Sequence, residues 1–107
     1  MSLDVTLTAV RPTEIYRDNI THNLTKMAEQ AGLYLALWQP NENGFVIAKD
    51  LIVPLKEGLK RLEAEPDKYR RFNPENGWGT YEDLIEFVRN YLAACEANPD
   101  GEINISR

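Results

Sequence analysis

Four of the five residues from 19 to 23 can do chemistry: Asn19, Thr21, His22 and Asn23. Two amides, a hydroxyl and an imidazole both donate and accept hydrogen bonds, which suits the polar edges of a ligand. Near a helix N-terminus they would also stand where backbone N–H groups favour negative charge. A second signal is aromatic. Trp38 and Trp78 lie beside proline or glycine at segment ends, where an indole can be partly open. Residues 73–81 add two glycines for close backbone approach, an amide at Asn76, a stacking surface at Trp78, and Tyr81. The expectation is one ligand site built from Asn19, Thr21, His22, Asn23, Trp38, Asn76, Trp78 and Tyr81. Trp78 would stack on a planar group while Asn23 and Asn76 bond its polar edges. The plainer readings are a solvated helix face for residues 19–23 and a core plug for Trp78.

Other chemistries are poorly served. One histidine and one cysteine, far apart in sequence, cannot supply the three or four N/S ligands of a zinc site. The acidic residues show no calcium-loop pattern, and Gly77-Trp78-Gly79 is neither a phosphate-cradling loop nor a nucleophile elbow. No metal and no cofactor are expected. Cys95 falls on the apolar stripe of a helix and reads as an inert core thiol rather than a nucleophile paired with His22. Glu82, Asp83 and Glu86 crowd a helix N-terminus, where acids are favoured by the dipole without doing acid–base work. Arg70 and Arg71 could meet a phosphate or carboxylate, although two adjacent loop arginines are usually solvated. An enzyme using His22 as base ranks last, because no second catalytic group has a spacing that demands it.

Length and charge narrow the partners. The chain has 107 residues and reads as one domain, 1–107, large enough for a core without disulfides. A net charge of -5 opposes binding to phosphate backbones, so neither nucleic acid nor an anionic membrane is expected as a partner. The first residues, Met1-Ser2-Leu3-Asp4-Val5, lack a basic region followed by an apolar run, so no signal peptide is expected. With a lone Cys95 this predicts a reducing, cytoplasmic setting. Self-association stays open.

The elements that must position these residues follow from periodicity. Leu3, Val5 and Leu7 alternate with polar residues as a strand that should run to about Val10, where Arg11-Pro12-Thr13 interrupts it. Glu14 to Arg17 then leads in. Ile20, Leu24, Met27, Ala28 and Ala31 share one helical face, predicting a helix over 18–32 capped by Asp18 or Asn19 and ended by Gly32. On that helix His22 lies nearly opposite the buried stripe. Residues 33–38 suggest a short second helix. Residues 40–44 are a loop, because the flanks of Asn43 and Gly44 do not alternate like paired strands. Leu51, Ile52, Leu55, Leu59 and Leu62 mark a helix within 48–64, with Asp50 as cap and Pro54 near its first turn. Residues 67–79 are the least regular. Thr80 then caps a helix with Asp83 three residues on, and Leu84, Ile85, Val88, Tyr91, Leu92 and Cys95 form its buried stripe. After a turn at Asn98-Pro99-Asp100-Gly101, residues 102–106 alternate as a strand. The sum is an α+β fold, mainly helical: three main helices, a short one, and a small antiparallel two-stranded sheet joining the N- and C-terminal strands.

Several segments also carry a resemblance. Asn19-Ile20-Thr21-His22-Asn23-Leu24, Leu37-Trp38-x-Pro40, Asn76-Gly77-Trp78-Gly79-x-Tyr81, Tyr91-Leu92-x-x-Cys95 and the terminal Ser106-Arg107 resemble a family of short uncharacterised proteins encoded by bacteriophages and prophages. The resemblance spans essentially the whole length. It implies a phage accessory protein in a bacterial cytoplasm, with no catalytic residue to carry over. Such proteins frequently counter host defences, some by holding nucleotide immune signals. The function expected first is therefore non-enzymatic sequestration of a nucleotide-like ligand. The alternative is a protein–protein inhibitor or adaptor, whose acidic charge and exposed aromatics meet a basic surface on a host protein.

Overall fold

The computed structural model describes residues 1–9 and 14–107. The chain opens with β1 (Ser2–Thr8) and β2 (Glu14–Thr21), then a 3₁₀ turn at His22–Leu24. Five helices follow: α1 (Thr25–Gln30), α2 (Tyr34–Trp38), α3 (Ala48–Ala64), α4 (Pro66–Arg70) and α5 (Tyr81–Ala97). The last element, β3 (Glu102–Ser106), returns to the sheet. The fold is α+β, and the terminal strands β1 and β3 do pair antiparallel, with Val5 opposite Ile105 and Leu7 opposite Ile103. The expected end of β1 at Val10, and the break at Arg11, Pro12 and Thr13, fall outside the described residues.

The sheet has three strands rather than two, in the order β2-β1-β3. Residues 14–21 form β2, so Asp18 and Asn19 belong to a strand and cap no helix. Ile20 suited both periods: it lies four residues before Leu24 on a helical stripe and two after Asp18 on a strand row. Asp18 breaks the apolar alternation that would have betrayed the strand. Pairing with β1 decides the matter, because it sets Ile20 against Leu3 and Tyr16 against Leu7. Helix formation waits until the 3₁₀ turn, where the Thr21 hydroxyl accepts the Asn23 N–H at 3.3 Å. The helix then closes at Gly32, whose φ of 74° needs no Cβ. Arg61 donates to the Ala31 carbonyl there at 3.0 Å.

One apolar cluster joins the layers. Leu3, Val5 and Leu7 are fully buried on one face of β1 and share one cluster with Leu24, Met27, Leu37, Leu55, Leu84, Val88 and Tyr91. Helix α5 packs on β2 and on α3. The other sheet face is polar, with Asn104 donating to Thr8 Oγ1 at 3.1 Å. Helix α3 starts at Ala48, two residues before the expected cap, so Pro54 sits inside the helix rather than near its first turn. Asp50 still serves the terminus, since its carboxylate accepts the Val46 and Ile47 N–H groups at 3.0 and 3.1 Å. Helix α4 is a single turn inside the stretch expected to be irregular. Helix α5 begins as expected: the Thr80 hydroxyl takes the Asp83 N–H at 3.2 Å, and the Asp83 carboxylate takes the Thr80 N–H at 3.0 Å. Among the described residues no helix is long and apolar enough to cross a membrane.

Candidate functional site

The site grows from one misfit on β2. Tyr16, Asp18 and Ile20 occupy its core-facing row, opposite Leu7, Val5 and Leu3. Tyr16 stacks on Tyr91 of α5 with ring centroids 5.9 Å apart, and Ile20 is buried. Between them stands a carboxylate. A charged group cannot be sealed under apolar packing without a large desolvation cost. Asp18 is instead half-buried and accepts the Tyr16 hydroxyl at 3.2 Å and the Asn19 N–H at 2.8 Å. Burial, and then the Asp18 charge, push the Tyr16 phenol upward from its ordinary value, so it stays a neutral donor. Beside Asp18, the edge of β2 and the first half of α5 enclose a recess of about 400 Å³ lined by Asp18, Asn19, Thr21, Trp78, Asp83, Glu86, Phe87 and Asn90.

The loop before α5 supplies the aromatic wall. Asn76 Oδ1 accepts the Trp78 N–H at 2.9 Å, and Asn73 Oδ1 accepts the Tyr81 N–H at 2.8 Å. These side-chain bonds replace the missing ladder or helix partners of the loop backbone. Gly79 has φ of 107°, and a Cβ there would lie 2.7 Å from Thr21 Cγ2 and 3.0 Å from Leu24 Cγ. Only glycine lets the loop seat against the end of β2. With the loop seated, the Trp78 side chain stands 71% exposed beside Asn19 and Thr21. A second hollow of about 530 Å³ shares Asn19, Thr21 and Trp78 and adds Asn23 with the first two residues of the chain.

Of the residues singled out by sequence, Asn19, Thr21 and Trp78 meet on both hollows and Asn23 on the second. The others are placed elsewhere. Asn76 shapes the loop through its bond to Trp78. Tyr81 is buried, donates its hydroxyl to the Leu62 carbonyl and carries the Arg70 guanidinium over its ring. Trp38, expected to be partly open, is only 2% exposed and stacks on Tyr34. Its indole N–H donates to His22 Nδ1 at 2.8 Å. An indole nitrogen can only donate, so Nδ1 is the bare acceptor and the neutral imidazole keeps its proton on Nε2. His22 thus lines neither hollow, and its expected place opposite a buried helical stripe does not exist because the helix starts after it. Sequence alone makes Asp18 a helix cap and Glu86 one of three acids at a helix N-terminus, placed there by the dipole rather than for acid–base work. Recognising the row Tyr16, Asp18, Ile20 as a strand would have exposed the first as an acid set among core positions.

The electrostatics are one-signed. Asp18, Asp83 and Glu86 line the recess, with no lysine or arginine among its described lining residues. Asp18 and Asp83 each accept bonds from neighbouring donors, which steadies them, whereas Glu86 makes no side-chain bond or ion pair among the described residues. Such a lining concentrates cations and repels anions. Among the described residues no three of His, Cys, Asp and Glu are grouped to hold a metal ion. Cys95 is buried, and burial pushes its thiol up to about 12, so little thiolate forms near neutral pH. Comparisons with protein-family models, curated proteins and solved structures find no match.

Proposed function

We propose that this chain is a non-catalytic binding protein that takes a cationic group of a partner protein at the recess between β2, Trp78 and α5. In the setting implied by its motifs, it is a phage or prophage accessory protein acting as an inhibitor or adaptor on a host protein in the bacterial cytoplasm. One observation carries this reading: a tryptophan 71% exposed beside a recess lined, among the described residues, by three carboxylates and no cation. An exposed indole offers its face to a cation, and tryptophan is enriched where partners dock. The same lining weighs against a nucleotide-like ligand, because its phosphates would face Asp18, Asp83 and Glu86 without a compensating charge.

Trp38 is buried and Trp78 is not, so the emission of Trp78 reports occupancy of the recess. A lysine-rich peptide should shift that emission in the wild type and not in Trp78→Phe, with an affinity that falls as salt rises. A response to cyclic nucleotides or ADP-ribose with none to the peptide would restore nucleotide sequestration. A response to neither would end both readings.

A further inference from the structure

The two edges of the sheet differ. At the start of β3, the Ile103 N–H donates to the Val46 carbonyl at 3.0 Å and the Ala48 N–H to the Gly101 carbonyl at 2.8 Å, so residues 46–48 cover the first part of that edge. The β2 edge, which borders the acidic recess, has no such cover among the described residues. Its outward groups follow from the register. The His22 N–H donates to the Met1 carbonyl, and hydrogen-bonded pairs recur at every second position of an antiparallel ladder. Ile20, Asp18 and Tyr16 therefore bond to β1, while Arg17, Asn19 and Thr21 turn their N–H and C=O groups away from it. The Asn19 N–H is held by the Asp18 carboxylate at 2.8 Å. The amides of Arg17 and Thr21 have no partner among the described residues.

We infer that this edge accepts a strand: an extended, lysine- or arginine-bearing segment of a partner protein pairs with β2 along residues 17–21 and drops alternate side chains into the acidic recess. The inference rests on the reading of the recess as a cation site and specifies how the partner is held. Five residues of strand span about 13 Å at roughly 3.3 Å per residue, room for two outward-facing donors and the carbonyls between them. Side chains of the added strand that share the face of Asp18 point toward Asp18 and Glu86, so a lysine or arginine there is met by opposite charge. A second copy of β2 would bring Glu14 and Asp18 to the same acidic wall, on a chain whose net charge is already -5. An inward-pointing charge at an edge is a known barrier to self-pairing. Asp18 therefore selects by charge which strands can join.

The test uses three capped hexapeptides in titrations followed by amide hydrogen exchange. The first alternates lysine and valine, the second has the same sequence with every backbone nitrogen methylated, and the third replaces lysine by glutamate. The lysine peptide should slow exchange at the Arg17 and Thr21 amides by roughly tenfold or more, while the methylated and glutamate peptides bind at least about tenfold more weakly. Arg17→Pro removes an outward donor that β1 does not use, a change tolerated on an edge strand. It should fold, shown by the buried Trp38 emission, and lose lysine-peptide binding. Equal binding of the methylated peptide, or binding without protection at these amides, overturns strand addition and leaves the cation recess standing. Absence of any response to the lysine peptide overturns both. Concentration-dependent protection of the two amides without peptide overturns the proposal in favour of a second copy.

Discussion

Substituting Gly79 by alanine tests whether the loop is seated on β2 as described. The new Cβ would lie 2.7 Å from Thr21 Cγ2 and 3.0 Å from Leu24 Cγ, and φ at this position is 107°. A non-glycine residue at such a φ costs about 1–2 kcal/mol, and forcing a methyl into a filled contact adds about 1–3 kcal/mol. Gly77→Ala is the control, because φ there is 77° yet nothing among the described residues would lie within 4 Å of its Cβ. It should cost the backbone part alone. The expected losses are thus about 1–2 kcal/mol for Gly77→Ala and about 2–5 kcal/mol for Gly79→Ala, with Tm falling by about 4 °C per kcal/mol in a chain of this size. Urea unfolding gives the two free energies. Iodide quenching reports where the indole of Trp78 has gone, since Trp38 is shielded. Equal losses for the two variants, with unchanged Trp78 quenching in Gly79→Ala, would show that Gly79 does not press on Thr21 and Leu24, and the recess as drawn would fall.

Three further outcomes follow from buried or bonded groups. Tyr91 is fully buried and its hydroxyl has no hydrogen-bond partner among the described residues, so Tyr91→Phe should raise stability by about 1 kcal/mol in urea unfolding, and a clear loss would refute the unpaired hydroxyl. Cys95 should resist alkylation at pH 8 until urea unfolds the chain. Because burial raises its folded pKa from 9.0 to about 12, the unfolded thiol ionises first, so its contribution is whole below pH 9 and is lost as pH rises toward 12. Cys95→Ala should flatten part of that alkaline decline. Asp50 runs the other way: the Val46 and Ile47 N–H groups hold its carboxyl below the ordinary 3.8, so its contribution is present above that pH and lost as pH falls below it. Asp50→Ala should lower stability at pH 7 by about 1 kcal/mol, as for a lost helix cap, and make the curve below pH 4 shallower.

Local patterns settled much of this molecule from the sequence. The alternation of Leu3, Val5 and Leu7, the helical stripe from Leu84 to Cys95, the Thr80 and Asp83 box and the glycine at 32 each encode their element within a few neighbours. Pairing of the chain ends followed from having a strand pattern at each terminus. Strand β2 was not legible, because an acid in its core-facing row erases the apolar alternation, and only the ladder to β1 and the Leu3–Ile20 and Leu7–Tyr16 contacts favour strand over helix. The two tryptophans show the same limit. Each stands beside a turn-forming residue, yet one is 2% exposed and the other 71%. Periodicity tells which side of an element is apolar, but burial depends on what arrives from distant segments: Tyr34 and His22 close over Trp38, whereas Gly79 seats the loop on Thr21 and leaves Trp78 at the surface. The acidic recess likewise draws on β2, the loop and α5, and no window of sequence contains all three.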